Sequence, residues 1–205
     1  MPNQDHWENV YRTKPSTTVG WYQPRAERSL ALIQRLAPDR NTPILDVGGG
    51  ASVLVDGLLD AHYVGVTVLD LSSAALATTR TRLGDPATQV NWLEGDVTQL
   101  SLPRQHFGLW HDRAVFHFLT LPEQRAAYMQ QVRHALQPGA HVVIATFAED
   151  GPEQCCGLPV VRYSAEALHA AFGEDFSLVS HERETHVTPA GASQAFLYCV
   201  FRCPR

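Results

Sequence analysis

Residues 43 to 52 read Pro-Ile-Leu-Asp-Val-Gly-Gly-Gly-Ala-Ser, and no other stretch of the chain restricts the fold so severely. A short apolar run ends at an acid and then meets three consecutive glycines. That is the pattern of a buried strand turning sharply into a helix through backbone that carries no Cβ atoms. Glycine tolerates positive φ and lets the main chain approach a bound molecule closely. The unpaired N–H groups at the start of the next helix face whatever is held there. A tight turn without a ligand can use the same residues, so the motif needs supporting features elsewhere in the chain.

The dinucleotide fingerprint after a strand is G-x-G-x-x-G. Gly48 and Gly50 fit its first two places, but the third falls on Val53. Asp46 stands two residues before the first glycine, where its carboxylate would repel a pyrophosphate and welcome a cationic or amino-bearing ligand. This points away from NAD and toward S-adenosylmethionine, which carries a sulfonium and an α-amino group. A second β-branched run, His62 to Leu69, ends at Asp70, 24 positions after Asp46. In a β-α-β unit an acid at that place faces ribose hydroxyls. A third apolar piece, Gln89 to Leu93, leads into Glu94-Gly95-Asp96-Val97 and puts another acid at a strand end.

With these pieces in order, the chain resembles the class I S-adenosylmethionine-dependent methyltransferases over about residues 6 to 202. The resemblance rests on Ile44 to Gly50, on Val68-Leu69-Asp70-Leu71-Ser72, on Glu94 to Val97, on FGLWHDRAVFHFL from Phe107 to Leu119, and on Leu136-Gln137-Pro138-Gly139. It implies that Asp46, Gly48, Gly49 and Gly50 hold the methionine part of the donor. It implies further that Asp70 binds the ribose, with the adjoining Leu71 also in the donor site, that Asp96 receives the adenine amino group, and that the Val97 backbone lies beside the ring. Ser52 replaces the family's usual third glycine.

Punctuation and periodicity give the same architecture independently. Residues 24–37 read as a helix bounded by prolines. Residues 51–61 and 72–83 supply two more helices, with Ser72 or Ser73 as a cap. Strands are expected at 107–112 and 140–147 around a helix at 122–136, then a helix at 164–172 capped by Ser164. Two long strands, 176–187 and 194–202, flank a short Thr-Pro-Ala-Gly connection. Alternating strands and helices imply an α/β, doubly wound, Rossmann-like sheet of about seven strands with helices on both faces. The family resemblance implies that the last strand is antiparallel. We expect one domain over residues 1–205.

Function should gather at the carboxyl ends of the strands. The fourth strand delivers His111, Asp112 and Arg113 there, with His117 one or two turns on. In related enzymes the main chain at a place like Asp112 helps to bind the donor's amino group. His111, Asp112, Arg113 and His117 are candidates for the acceptor side, with His117 or His111 as the base that an amine or oxygen acceptor would need. The alternative is that Asp112 and Arg113 make a structural ion pair and His117 packs in the core. Trp7, Tyr11 and Trp21, in residues 1–28, are either a lid over the sulfonium or anchors for the first helix. Residues 148–163, with two prolines and the Cys155-Cys156 pair, suit a substrate lid.

Composition narrows the remaining choices. A net charge of −5 and a single lysine, Lys14, leave no basic stripe for nucleic acid. No run approaches a membrane span, and the expected setting is the cytoplasm. The four cysteines lack zinc spacing and no metal is expected. A small-molecule acceptor is expected, with a protein side chain such as lysine as the alternative, and a binding module without catalysis as the reading from another class.

Overall fold

The computed structural model describes residues 4 to 205; residues 1–3 of the expected single domain and of the aromatic N-terminal segment lie outside the described part. Seven strands form one sheet: β1 (Ile44–Val47), β2 (Val66–Asp70), β3 (Asn91–Glu94), β4 (Phe107–Arg113), β5 (Leu136–Phe147), β8 (Ser177–Val187) and β9 (Ser193–Arg202). Their order is β3-β2-β1-β4-β5-β9-β8. All pairings from β3 to β5 are parallel. The last strand, β9, runs antiparallel between β5 and β8. The chain reverses direction across the sheet between β1 and β4, so a crevice opens beyond the carboxyl ends of the strands.

Helices cover both faces, because each central strand is apolar on both sides. On one face α2 (Glu27–Leu36), α3 (Leu54–Asp60) and α4 (Ser73–Leu83) pack Ile33, Val55, Leu58 and Leu76 against Ile44, Val66, Val68 and Leu109. On the other, α5 (Pro122–Ala135) and α6 (Ala165–Phe172) bring Tyr128, Val132, Leu168 and Phe172 onto Leu45, Trp110, Ile144 and Phe201. Ser72 and Ser164 cap α4 and α6, each accepting a bond from the N–H three residues on.

Differences from the sequence expectation have local causes. Helix α3 starts at Leu54 rather than residue 51 because the glycine turn continues through Ser52, whose hydroxyl accepts the Leu54 N–H at 3.1 Å. Strand β2 begins at Val66, not His62: His62 takes φ 65° and Tyr63 turns its ring into the core. The segment after β4 makes only one 3₁₀ turn, Phe116–Phe118, entered through Ala114 at φ 73°. Strand β5 starts at Leu136, and its register against β4 shifts between Phe107 and Leu109. Three elements were not foreseen: the helix α1 (Gln4–Thr13), a 3₁₀ helix at Asp85–Gln89, and a small hairpin, β6 (Gln154–Cys155) with β7 (Leu158–Pro159), inside the expected lid loop. No helix among the described residues is long and apolar enough to cross a membrane.

Candidate active site

The glycine turn is threaded between two carboxylates. Gly48 sits at φ 69°, and the N–H groups of Gly48 and Gly49 donate to the Leu69 carbonyl at 2.7 and 3.3 Å. A Cβ on Gly48 would fall 2.1 Å from Val115 Cγ2; on Gly49, 2.2 Å from Asp46 Oδ2; on Gly50, 2.4 Å from Asp70 Oδ2. Each glycine therefore admits a neighbour that any side chain would displace. The Asp70 carboxylate accepts the Gly50 N–H at 3.0 Å and the Ser72 N–H at 2.8 Å. Burial pushes its pKa up to about 6, against the opposing pull of those two N–H groups.

Asp46 is held from the other side. His111 Nδ1 lies 2.7 Å from Asp46 Oδ1, and His111 Nε2 lies 2.8 Å from the Ser29 hydroxyl. The second carboxylate oxygen, Asp46 Oδ2, is buried and has no hydrogen-bond partner.

Two cavities meet at this turn. One, of about 680 Å³ including its mouth, has Val47, Gly48, Leu69, Asp70, Leu71, Gly95 and Val97 on the strand-end side. Arg113, Ala114, Val115 and Phe118 line its β4 end, and Trp7, Tyr11, Trp21 and Cys155 close it from across. The other, of about 590 Å³, reaches behind the turn to Asp46, Gly49, Ser52, His111 and Ser29. Tyr11, Trp21, Val47, Gly48 and Arg113 belong to both walls.

The N-terminal wall is fixed by specific bonds. Glu8 of α1 accepts the Ser72 hydroxyl at 2.7 Å, the Ser73 hydroxyl at 3.0 Å and the Ala74 N–H at 3.2 Å, so a carboxylate caps the start of α4. Trp7 packs edge-on against Trp21 and Phe118, at 5.6 and 5.2 Å between ring centroids. Trp21 Nε1 donates to the Tyr11 hydroxyl at 3.2 Å.

The residues singled out in the sequence divide into three groups. Trp7, Tyr11, Trp21, Gly48, Asp70, Leu71 and Val97 come together on the larger cavity, and Asp46, Gly49 and His111 on the smaller. Gly50 buttresses Asp70 from behind. Arg113 reaches both cavities, yet its guanidinium is engaged: it donates to the Tyr198 hydroxyl at 3.0 Å and the Trp21 carbonyl at 3.2 Å, lies 3.7 Å from Glu184, and stacks over Phe196 at 4.3 Å.

Asp96, Asp112 and His117 line neither cavity. Asp96 accepts from Thr98 and Gln99 in its own turn. Asp112 accepts the Val115 and Phe116 N–H groups and the Tyr128 hydroxyl, the last at 2.6 Å. Its burial raises its pKa to about 6. His117 lies between Phe118 and Phe147, and burial lowers its pKa to about 3, so its ring is neutral at pH 7. Glu8, Ser29, Phe118 and Tyr198 carry no local sequence signal for these roles, although Glu8 stands among the N-terminal aromatics and Phe118 within the Phe107 to Leu119 motif.

Comparisons with known proteins agree with this geometry. A family model described as a methyltransferase domain matches residues 44–139. The O-methyltransferase cnsE of Penicillium expansum is 29% identical over 167 residues, 78% of this chain and 55% of that protein. The eEF1A lysine and N-terminal methyltransferase of Mus musculus is 24% identical over 151 residues, 71% of this chain and 21% of that protein. The chain thus spans about half of the first relative's length and a fifth of the second's. A structure of the Burkholderia thailandensis 1,6-didemethyltoxoflavin-N1-methyltransferase, with its substrate and S-adenosylhomocysteine bound, superposes with a TM-score of 0.74 at 21% identity, covering 98% of this chain and 87% of that one. That likeness shows the fold. The cradle that three Cβ atoms would fill and the unpartnered Asp46 oxygen fit a donor carrying an amino-acid group. The match runs from β1 into the first residues of β5 and takes in the glycine turn between strand-end acids, so this part of the chain is similar to S-adenosylmethionine-dependent methyltransferase domains.

Proposed function

We propose that this protein transfers a methyl group from S-adenosylmethionine to a small-molecule acceptor by in-line displacement. The observation that carries the reading is the larger cavity. Its strand-end side has the polar groups a nucleoside needs, while Ala114, Val115, Phe118, Trp7, Trp21 and Cys155 make the remainder apolar and aromatic. A chamber of that kind suits a compact, mostly apolar molecule. The relatives described as an O-methyltransferase and a toxoflavin-precursor N-methyltransferase support the same choice.

When bound, S-adenosylmethionine supplies a methyl carbon on a sulfonium whose departure leaves a neutral thioether. The rest is positioning, which can account for most of the acceleration of such a displacement. Asp46 and the turn Gly48-Gly49-Gly50 hold the amino-acid end, and Asp70 accepts from the ribose hydroxyls. Leu71 and Val97 flank the base, while Asp96, bonded to Thr98 and Gln99 in its own turn, stands outside both cavities. Trp7, Tyr11 and Trp21 act as a lid that excludes water and turns π faces toward positive charge, each face contributing about 0.5 to 2 kcal/mol. Arg113 fastens that lid through the Trp21 carbonyl, and the backbone beside Asp112 forms the β4 rim. No step runs through His117, whose neutral ring lies away from the cavity, so the acceptor brings its own available lone pair. A cytoplasmic setting suits four cysteines carried as thiols.

A second reading, methylation of a protein side chain such as lysine, is favoured by the mouse relative. Incubating the purified chain with methyl-labelled donor and either the small-molecule or the protein fraction of a cell extract separates the two. Label in the small-molecule fraction is expected. Label confined to a protein band would establish the second reading, and transfer to neither fraction would overturn both.

A further inference from the structure

A line of buried polar side chains runs from the aromatic wall to the glycine turn. Arg113 Nε donates to the Tyr198 hydroxyl at 3.0 Å; that hydroxyl lies 3.5 Å from Ser29 Oγ; Ser29 Oγ lies 2.8 Å from His111 Nε2; and His111 Nδ1 lies 2.7 Å from Asp46 Oδ1. Ser29, Asp46, His111 and Tyr198 are each at most 2% exposed. One proton arrangement satisfies every link: Tyr198 donates to Ser29, Ser29 to His111, and His111 to the carboxylate, which can only accept when ionised. The line ends with one carboxylate oxygen unspent. Asp46 Oδ2 lies against the Gly49 backbone, where a Cβ would come within 2.2 Å, and it has no partner.

A buried carboxylate left half-satisfied costs stability unless something completes it. Its side-chain torsion also has to be fixed for its free oxygen to face the turn, and His111 supplies that constraint by holding Oδ1 on the far side. Ser29 fixes the ring in turn, in the way a second hydrogen bond sets an imidazole's tautomer and orientation. Both ring nitrogens are thereby occupied, which leaves His111 no free nitrogen for an acceptor proton.

We propose that His111 is a positioning residue for the donor: backed by Ser29, it orients Asp46 so that Oδ2 accepts from the α-ammonium of the bound amino-acid part. The proposal rests on the donor-site reading above. It predicts a specific dissection of the ligand, because the amino-acid part can be removed while the nucleoside is kept.

The test is calorimetric binding of S-adenosylhomocysteine and of 5′-methylthioadenosine, which lacks the amino-acid group, to the wild type and to His111→Leu, His111→Gln and Ser29→Ala. Expected for His111→Leu is a loss of about ten-fold or more for S-adenosylhomocysteine, the size of one charge-assisted hydrogen bond, with 5′-methylthioadenosine unchanged within two-fold. His111→Gln, whose amide can still donate to Asp46, recovers most of the loss. Ser29→Ala gives a smaller loss with the same selectivity, and it carries the test if His111→Leu does not fold. Equal losses for both ligands, or none for S-adenosylhomocysteine, would overturn the proposal. A wild type that binds neither ligand would instead overturn the donor-site reading, and the proposal with it.

Discussion

Gly50→Ala tests the threading of the turn between its two acids. The new Cβ would lie 2.4 Å from Asp70 Oδ2 and 2.6 Å from Ala75 Cβ. Ala75 belongs to a capped helix and cannot swing aside, and the Asp70 carboxylate is held by the Ser72 N–H at 2.8 Å. Relief therefore requires the turn to move and the Gly50 N–H bond to Asp70 to break. Overpacking costs about 1 to 3 kcal/mol, and the lost bond to a charged acceptor about 1.5 to 3 kcal/mol. A combined cost of about 2.5 to 6 kcal/mol is expected. At about 2 to 4 °C per kcal/mol for a chain of this size, the melting temperature should fall by about 5 to 24 °C. Calorimetry with S-adenosylhomocysteine should show a weakening of about ten-fold or more, since Asp70 is displaced. Gly20→Ala is the control, because its Cβ would meet only Gln194 Nε2 at 3.8 Å. A Gly50→Ala protein that melts within about 2 °C of the wild type and binds S-adenosylhomocysteine equally well would refute the reasoning.

Three further outcomes follow from the charges and thiols. The Glu8 carboxyl is held below its usual range, first by the Ser72 hydroxyl, against burial. Its contribution is present above the unfolded value near 4.3 and is lost as pH falls through the folded value, so Glu8→Gln should remove part of the acid-side loss and speed proteolysis near the N-terminus. Asp70, raised by burial to about 6, acts in the opposite sense: the stability it contributes is full below about 3.9 and is lost as pH rises through about 6. Melting curves of Asp70→Asn should therefore be flatter than wild type across that window, and S-adenosylhomocysteine affinity in the wild type should fall as the carboxylate protonates below about 6. Burial pushes the Cys155 thiol up to about 12, so iodoacetamide at pH 8 should label it more slowly than an unburied thiol, and S-adenosylhomocysteine should slow it further; rapid labelling unaffected by the ligand would contradict its place in the cavity wall.

Much of the scaffold was legible because its signals are local. The run Ile44 to Gly50 states a strand and its turn within seven residues, and Ser72 and Ser164 announce the helices they cap. Asp46 and Asp70 were legible as a pair because a β-α-β unit repeats at a fixed interval. Helix α1 was not, since its apolar stripe of Trp7, Val10 and Tyr11 is short and its docking depends on Glu8 meeting Ser72, 64 residues away. The polar line was equally hidden: Ser29 meets His111 across 82 residues and Tyr198 across 169. A histidine beside a strand-end acid reads as catalytic machinery until the partner of its second nitrogen is known. Arg113 was ambiguous for the same reason, because its ion-pair partner, Glu184, stands on the distant edge strand β8.

The central claim is that the glycine turn and its two cavities hold a methionine-bearing nucleoside. Thermal unfolding with and without S-adenosylhomocysteine, with NADH as control, tests it most directly. At about 100 times its dissociation constant a native-state ligand adds about 2.7 kcal/mol, which for this chain is a rise of about 5 to 10 °C. The expected result is that rise with S-adenosylhomocysteine and none with NADH. No shift at saturating S-adenosylhomocysteine, or an equal shift with NADH, would contradict the account.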